Sequence, residues 1–344
     1  MTGSKSKTSA AASPTPTPTS YDVAQRAGVS QSAVSRCFRP GSSISAKTRA
    51  RVIAAAQALG YHPNAMASGL ITRRSNLVAV VISSLTNLYY PEVLAELTRR
   101  LSDRGIRVLL FALQAESEVD EMLDQVWRYR VDGAIIAARL APEQLREFAN
   151  RGVPVVLYNR FGEGEAVSSV CCDSAGGERQ LVERLVAAGH KSFGIISGPA
   201  DSYVSRERVH GAVNRLQELG REAVIVDGAF DYDSGGKGLR QLLERTGGGL
   251  DALICANDLM AIGAIDCARF ECGLAVPGDL SIVGFDGVAP ARWASYRLST
   301  VRQPVGRMTE AAVLMVLERI ADFSLSPEVR TFAGSLIEGN SARF

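Results

Sequence analysis

From residue 76 onward, the chain alternates short apolar runs with amphipathic stretches. Nine runs rich in Val, Ile, Leu and Ala have the length of strands rather than of helices. Continuous apolar strands separated by helices are typical of parallel sheets covered on both faces. Since one small sheet cannot hold this many units, we expect an α/β body of two doubly wound lobes that face a cleft. The predicted strands are residues 77–83, 108–113, 133–138, 154–159, 167–172, 193–197, 223–227, 252–256 and 281–285.

The stretches between these strands have the apolar spacing of helices that cover a sheet. Residues 298–304 are expected to cross from one lobe to the other, so that neither lobe is continuous in sequence. The predicted helices span about residues 91–104, 118–130, 142–151, 175–189, 205–219, 235–246, 258–273 and 306–322.

The N-terminal part of the chain has a different pattern, with three short helices and two tight joints. Thr19, with Asp22 three residues later, suits a capping box at the first helix. Gly28 supplies a turn conformation that residues with a Cβ adopt poorly, and Ser30 and Ser45 can cap the next two helices. This all-α arrangement is typical of a helix-turn-helix that binds DNA. The alternative is a small helical bundle whose polar face is merely solvated.

The charge of the chain is unevenly distributed. Residues 1–75 contain ten Lys or Arg and one acidic residue, Asp22, which gives +9; the whole chain has +2, so the remainder has −7. A basic head on a mildly acidic body is typical of a polyanion-binding module joined to a separate folded unit.

The residue identities of the N-terminal helical segment point to a protein family more specifically than its helix pattern does. Residues 21–36 read YDVAQRAGVSQSAVSR, residues 44–49 read ISAKTR, and residues 59–64 read LGYHPN. With almost no gap between Thr19 and Leu70, this stretch closely resembles the lactose-repressor/galactose-repressor family of bacterial transcription regulators. The resemblance implies a repressor of transcription with a periplasmic-binding-protein-like body.

The outward face of the second helix carries an amide, hydroxyls and a guanidinium, which suit base edges and phosphates. Gln31, Ser32 and Arg36 are expected to read base edges in the major groove. Phosphate contacts, which set register rather than sequence, are expected from Thr19, Tyr21, Ser30, Ser45 and Lys47, and Ser35 and Asn64 complete the predicted DNA-contacting set.

Residues 64–75 correspond to the hinge helix of the resembled family, which folds when two subunits pair on DNA. The resemblance implies that Leu70 is the apolar wedge inserted into the minor groove. Ser68 and Gly69 stand where the family usually has arginine and serine. Glycine costs about 1 kcal/mol of helix propensity, so the hinge should be less helical off DNA and the depth of Leu70 insertion stays open. The alternative is a flexible tether with no role on DNA.

The remaining features of the sequence exclude several classes of protein. Residues 1–18 are rich in Ser, Thr, Ala, Pro and Lys and are expected to form a disordered tail. No apolar run is long enough to span a membrane, and no secretory signal is present, so a cytoplasmic protein is expected. The six cysteines lack a Cys-x-x-Cys pair and the three histidines lack metal-ligand spacing, which predicts reduced thiols, no metal site and no cofactor. Nucleotide-binding glycine motifs and the nucleophile-elbow motif are absent, so catalysis is not expected.

A ligand site is expected at the carboxyl ends of the strands, where open α/β sheets bind small molecules. Amides, carboxylates, one arginine and aromatic rings collect there, which suits a polyhydroxylated or heterocyclic ligand such as a sugar. The predicted ligand-binding residues are Asn87, Tyr89, Tyr90, Asn159, Asp173, Arg208, Phe230, Asn257 and Asp286.

The resemblance assigns roles to four of these residues. Arg208 matches the effector-binding arginine of the family, Asn257 and Asp286 match its hydrogen-bonding partners, and Phe230 matches the aromatic that stacks on the ligand. Arg208 could instead form a salt bridge between the lobes.

Other roles are open for several candidates. Asn257, Asp286 and Asp173 could each cap the helix that follows, and Tyr89 and Tyr90 could serve only packing. The expected assembly is a homodimer formed by the body, residues 76–344, which places two DNA-binding domains, residues 19–63, on a near-palindromic operator. Two other functions are compatible with parts of the sequence: a DNA-binding dimer with an empty cleft, and a ligand-binding receptor without a DNA function.

Overall fold

The chain divides into two compact units, with the division between Ser75 and Asn76. The structure, a computed structural model, describes residues 17–38, 41–63, 74–83, 87–113, 118–162 and 164–344. Within these ranges, no helix has both the length and the apolar content needed to cross a bilayer.

The described residues of the first unit form three helices, α1 (Ser20–Ala27), α2 (Gln31–Cys37) and α3 (Ala46–Leu59). The predicted capping box is confirmed, since the backbone N–H of Thr19 donates to Asp22 Oδ2 at 2.8 Å and the Thr19 hydroxyl accepts from the Asp22 N–H. Gly28 ends α1 with φ at 61°, the left-handed conformation predicted for this turn. The second helix ends at Cys37.

The core of this unit is small and apolar. Val23 of α1, Val34 of α2 and Val52 of α3 are almost completely buried against one another. Because each helix contributes only one narrow apolar stripe, the opposite faces of all three helices remain available to solvent or to a partner.

In the second unit, the residues that the structure describes form twelve strands and helices that cover them. In chain order the strands are β1 (Leu77–Ser83), β2 (Arg107–Leu113), β3 (Gly133–Ala137), β4 (Val155–Tyr158), β5 (Ser168–Asp173), β6 (Phe193–Ile196), β7 (Ala223–Val226), β8 (Ala252–Cys255), β9 (Ser281–Asp286), β10 (Ser299–Arg302), β11 (Val329–Ala333) and β12 (Ser335–Ile337). All nine predicted strands are confirmed to within one residue at each end, whereas β10, β11 and β12 were not predicted.

The helices of the second unit also follow the predicted pattern. They are α4 (Tyr90–Ser102), α5 (Val119–Tyr129), α6 (Pro142–Asn150), α7 (Ser174–Ala187), α8 (Tyr203–Glu218), α9 (Tyr232–Arg245), α10 (Asp258–Asp266) and α11 (Val305–Ala321), with a π-helix at Cys267–Glu271 and a 3₁₀ turn at Ala289–Arg292.

The strands form two six-stranded sheets with the same order, which confirms the two-lobed α/β body. In the first lobe the order is β2-β1-β3-β4-β5-β11, and all strands are parallel. In the second lobe the order is β7-β6-β8-β9-β10-β12, and only β12 is antiparallel to its neighbour. Both orders reverse after the first strand, which places a binding crevice at the carboxyl ends of the strands.

The chain crosses between the lobes three times. It enters the second lobe between β5 and α7, which packs on α8. It returns after β10 through Gln303 and Pro304 into α11, which packs on β3, β4 and β5. It crosses again at Gly334, between β11 and β12. The predicted crossing at residues 298–304 is therefore confirmed for Gln303 and Pro304, whereas residues 299–302 form β10 of the second lobe.

Candidate functional site

Two arginines of the helical head are committed to holding the helices together. Arg51 donates from Nη2 to the carbonyls of Ala27 and Gly28, at 3.0 Å for Gly28, where α1 ends. Arg49 donates to the carbonyl of Cys37, the last residue of α2. Cations at helix C-termini satisfy open carbonyls and complement the helix dipole. Arg49 and Arg51 are thus structural members of the basic head.

The outward face of α2 presents the predicted base-reading residues. Ser32 and Arg36 are exposed one turn apart, and Arg36 Nε donates to the Ser32 carbonyl at 3.4 Å. Gln31 Nε2 donates to Ser20 Oγ at 3.2 Å, which fixes the direction of its amide, and Ser35 is half-buried. The polar groups predicted to read bases therefore lie on one side of a rigid helix.

The predicted phosphate-binding residues lie mainly at helix starts. The hydroxyls of Ser30 and Ser45 accept backbone N–H groups as N-caps of α2 and α3, as Thr19 does for α1. Tyr21, with 72% of its surface exposed, and Lys47 are directed to solvent. Asn64 and Leu70, and with them most of the predicted hinge, lie outside the described residues.

In the second unit, a cavity of about 470 Å³ opens between the two lobes. Its walls include seven of the nine residues predicted to bind ligand, and these come from both lobes. They are Asn87, Tyr89, Tyr90, Asn159, Arg208, Phe230 and Asp286. Lining residues that the sequence analysis did not assign to the site are Ser83, Arg139, Arg160, Phe161, Pro199, Asp201, Ser202, Tyr203, Val204, Arg206 and Gln303.

Arg208 of α8 is held in place by three contacts and has 3% of its surface exposed. Its Nη2 donates to Asp286 Oδ1 at 2.6 Å and its Nη1 donates to the Ala256 carbonyl at 2.5 Å. The guanidinium carbon lies 3.9 Å from the centre of the Phe285 ring. All of these partners belong to the second lobe, so the ion pair does not join the lobes. The Nε of Arg208 has no hydrogen-bond partner among the described residues.

Asp286 ends β9 and accepts from both Arg208 and Gln303, whose Nε2 lies 2.7 Å from Oδ1. Burial raises the pKa of this carboxyl, while Arg208 and Gln303 oppose that increase. The short hydrogen bond from Arg208 favours the ionised, carboxylate form of Asp286. Asp286 makes no helix cap; the 3₁₀ turn that follows begins after Val288, which has no side-chain cap.

Three lining residues other than glycine have positive φ angles. The values are 52° for Asn159, 62° for Phe230 and 120° for Asp286. Asparagine tolerates this region, but it is uncommon for other side chains and is held only where the surrounding structure demands it. Such strain is characteristic of binding sites, and here it directs three side chains from three different strand ends into the cavity.

Gln303 connects the lobes. Its Oε1 accepts from Asn159 Nδ2 at 2.9 Å, and its Nε2 donates to Asp286. Asn159 in turn accepts the N–H of Cys172 at 3.1 Å within the first lobe. Gln303 directly follows β10. Because candidate ligand contacts were sought at the carboxyl ends of predicted strands, Gln303 would have been a candidate if β10 had been predicted.

Tyr89 and Tyr90 line the cavity and are also packed in the core. Their rings meet edge to face with centroids 5.5 Å apart. The Tyr89 hydroxyl lies 3.2 Å from that of Tyr158, and burial raises the pKa of Tyr89 well above its usual value. Tyr89 therefore presents a neutral hydroxyl.

Asp173 and Asn257 are not part of the lining, because their side chains are used as helix caps. Asp173 accepts the Gly176 N–H at 2.9 Å at the start of α7, and Asn257 accepts the Met260 N–H at 2.9 Å at the start of α10. Asn257 also donates from Nδ2 to the Phe230 carbonyl at 3.0 Å. Asn257 therefore acts on the cavity by holding Phe230.

An aromatic contact closes one side of the cleft. Phe161, shortly after β4 in the first lobe, meets Tyr203 at the start of α8 in the second lobe, with ring centroids 4.9 Å apart and planes inclined by 67°. Because the two rings belong to different lobes, this contact changes whenever the lobes move apart.

A second buried acid lies behind the site. Glu178 of α7 is completely buried, and neither carboxyl oxygen has a hydrogen-bond partner among the described residues. Burial raises its pKa to about 8, although the charge of Arg208 opposes the shift. No group of three or more metal-ligating side chains occurs in the described part of the chain.

Two family models match the two units. Residues 19–64 match "Bacterial regulatory proteins, lacI family", and residues 182–342 match "Periplasmic binding protein-like domain". The HTH-type transcriptional regulator AscG of Escherichia coli is 31% identical over 328 residues, covering 93% of this chain and 97% of AscG.

Two solved structures extend the likeness to nearly the whole chain. The lac repressor dimer bound to operator and the anti-inducer ONPF is 28% identical, with a TM-score of 0.84 over 95% of this chain and 99% of that chain. The complex of the transcriptional regulator CelR with cellobiose is 30% identical, with a TM-score of 0.72 over 94% and 100%. On the identity and coverage shared with AscG, and on the helix-turn-helix joined to a two-lobed body, this chain belongs to the lacI family of bacterial transcriptional regulators.

Proposed function

We propose that this protein is a repressor whose affinity for a near-palindromic operator is set by a small molecule bound between its two α/β lobes. The observation that carries the proposal is the cavity of about 470 Å³, which is lined by polar and aromatic side chains of both lobes. A sugar or a related metabolite is the proposed effector class. The solved complexes of CelR with cellobiose and of the lac repressor with an anti-inducer support that class for this chain.

On DNA, α2 would lie in the major groove, with Gln31, Ser32 and Arg36 at base edges. Thr19, Tyr21, Ser30, Ser35, Ser45, Lys47 and Asn64 would complete the DNA contacts. In this proposal residues 19–63 are the DNA-binding domain and residues 64–75 are a hinge that folds on the operator, with Leu70 as its wedge. A regulator of this kind acts on the chromosome, so we expect it in the cytoplasm.

A homodimer is proposed because a seven-residue reading helix gains specificity when two copies bind adjacent half-sites. An apolar patch on the second lobe supports this assembly, since Phe270 and Trp293 are 81% and 60% exposed. The segments that carry these two residues are joined by Arg269, which donates to the Ser295 carbonyl at 2.5 Å, and by Asp266, which accepts from the Tyr296 hydroxyl at 2.9 Å and from the Tyr232 hydroxyl at 2.8 Å. A rigid apolar surface of this kind suits a two-fold interface.

The ligand would control DNA binding through the relative position of the lobes. Asn159 and Gln303 join the lobes by one hydrogen bond, and Phe161 and Tyr203 join them by one ring contact. A ligand that binds both walls favours one arrangement, and the spacing of the two hinges in the dimer then changes. A typical coupling free energy is about 1–3 kcal/mol. A ligand that favours the DNA-binding spacing acts as a co-repressor, and one that favours the other spacing acts as an inducer.

The test begins with selection of an operator from a pool of palindromic duplexes, using the full-length protein. Thermal-shift screening with sugars, sugar acids, polyols and nucleobases then identifies ligands, and fluorescence anisotropy measures operator affinity with and without each ligand. We expect at least one ligand to change the Kd for the operator by about 5- to 150-fold. Operator binding that no stabilising ligand alters would instead support a DNA-binding dimer with an empty cleft, and failure to select any duplex would support a receptor without a DNA function.

A further inference from the structure

The lining of the cleft contains arginines that are not among the predicted ligand-binding residues. Arg139 and Arg160 of the first lobe and Arg206 of the second lobe line the cavity together with Arg208. The aspartates in the lining are Asp201 and Asp286, and Asp286 is already paired with Arg208. Apart from that pair, Arg160 and Arg206 face the single carboxyl group of Asp201, while Arg139 has an interaction of its own.

Two of these arginines are engaged only by neutral groups. Arg160 Nη1 donates to the Asn159 carbonyl at 2.9 Å. Arg206 Nη1 donates to the carbonyls of Ala200 and Asp201 at 3.3 and 3.2 Å. No ion pair among the described residues includes either guanidinium, whereas some other surface arginines pair with carboxylates, as Arg179 does with Glu218 at 2.9 Å.

The two arginines line the cavity from different lobes, and each is close in sequence to one ring of the aromatic contact that closes the cleft. Arg160 immediately precedes Phe161 in the first lobe, and Arg206 follows Tyr203 by about one turn of α8 in the second. An anionic group between them would bind both lobes at once. The first turn of α8, a sixteen-residue helix, also faces the cavity and adds the positive end of its dipole.

Two acids lie near this region, Asp201 in the lining and Glu207 next to Arg206 on α8. Glu207 forms no ion pair with Arg160 or Arg206 among the described residues; burial raises the pKa of Tyr203, and the charge of Glu207 adds to that increase. Asp201 is exposed at the rim and makes no ion pair among the described residues. The positive charge of Arg160 and Arg206 is thus left for a ligand to compensate.

We propose that the effector carries an anionic group, a phosphate ester or a carboxylate, that Arg160 and Arg206 bind at the mouth of the cleft. This inference rests on the proposed function and narrows its ligand class. Guanidinium groups bind phosphate and carboxylate oxygens through paired, charge-assisted hydrogen bonds. The uncharged part of the molecule lies deeper, where Phe230 offers a ring face and the buried Nε of Arg208 offers a donor that has no partner. A neutral sugar fills that inner part but leaves both outer arginines without a counter-charge.

The deciding experiment uses inorganic phosphate as the probe and the full-length protein. The melting temperature is measured in phosphate and in sodium chloride of equal ionic strength for the wild type, for the double variant Arg160→Gln, Arg206→Gln, and for a control double variant. The control is Arg146→Gln, Arg330→Gln, which loses the same charge outside the lining, at one exposed and one half-buried position. We expect phosphate to stabilise the wild type and the control, and to bind the cleft variant at least about tenfold more weakly. Equal stabilisation of all three proteins overturns the proposal, since phosphate then binds elsewhere, for instance at the basic head.

A second measurement identifies the source of the anionic group. Isothermal titration compares glucose, glucose 6-phosphate and glucuronate, which share a ring and differ in charge. Tighter binding of the phosphate ester or of the uronate, lost in the cleft variant, supports the proposal and names the group. Tight binding of glucose that is equal in wild type and cleft variant overturns it while leaving ligand control of the operator intact. Conversely, phosphate binding at Arg160 and Arg206 without any ligand effect on operator affinity would contradict the proposed function alone.

Discussion

Arg208 and Asp286 form a buried ion pair within a single lobe, with 2.6 Å between Nη2 and Oδ1. Asp286 also accepts from Gln303, and Gln303 accepts from Asn159 of the other lobe. The second-lobe half of the site is thereby preorganised, while Gln303 meets the first lobe through a neutral amide. The charged contact between the lobes, from Arg302 to Glu92 at 2.9 Å, lies at the surface, where an ion pair contributes little. This division suits a site whose two halves move relative to each other.

Arg208→Ala is expected to destabilise the body strongly, because it leaves the Asp286 carboxylate buried beside a neutral amide. Breaking a buried pair from one side typically costs about 3–5 kcal/mol. The free energy of unfolding from urea titration measures the effect. Arg240→Ala, which breaks the exposed pair with Glu271, is the control and should cost no more than about 1 kcal/mol. A loss for Arg208→Ala as small as that of the control would show that the pair is not structural.

Glu178→Gln is expected to change how stability depends on pH. The folded pKa of Glu178, about 8, lies above its usual value of 4.5, so the native state holds a proton that the unfolded state releases. Stability from this group is therefore complete below about pH 4.5 and is lost as pH rises toward 8. Relative to wild type, the glutamine variant should gain stability on the order of 4 kcal/mol between about pH 5 and pH 8.5.

Asp258 is a built-in control for that experiment, because burial also raises its pKa to about 8 and it is present in both proteins. The difference between wild type and variant thus isolates Glu178. Parallel stability–pH curves from chemical unfolding would mean that Glu178 titrates normally.

Arg36→Ala is expected to abolish preference for the selected operator while weak, salt-sensitive DNA binding remains. A base-reading arginine contributes about 1–3 kcal/mol of discrimination, whereas phosphate contacts are independent of sequence. Competition anisotropy with operator and scrambled duplexes measures the ratio. Arg26→Ala removes an equal, exposed charge from the last turn of α1 and should leave the ratio largely intact. A ratio preserved in Arg36→Ala would remove this residue from base reading.

Leu70→Ala is expected to reduce bending of the operator, since an alanine cannot wedge between base pairs. A gel-shift phasing assay reports the bend angle directly. A bend of undiminished size would assign the deformation to the heads rather than to the hinge.

Trp293→Glu is expected to shift the protein from dimer to monomer in sedimentation velocity and to weaken operator binding in parallel. A charge placed in a desolvated apolar interface costs several kcal/mol unless it is paired. Leu325→Glu introduces the same charge at another exposed apolar position, 44% exposed, and should leave the assembly unchanged. A dimer that survives Trp293→Glu would place the interface on a different face.

Much of the architecture was readable from short stretches of sequence. The nine apolar strands and the caps at Thr19, Ser30 and Ser45 were predicted because periodicity and capping act over a few residues. The strands that escaped prediction, β10 to β12, are short and largely polar or half-exposed. Their strand conformation depends on partners far along the chain, such as β5 for β11.

The site divides in the same way. The sequence alone determined that polar and aromatic side chains follow the strand ends, and seven of the nine candidates line the cavity. It could not show whether Asn257 and Asp173 cap helices or contact the ligand, because an Asn or Asp between a strand and a helix suits either role. Only the tertiary structure decided that Arg208 pairs within its own lobe and that Gln303 meets Asn159, 144 residues away. Contacts of that kind depend on how two sheets are brought together by chain crossings, and no local pattern of residues encodes that geometry.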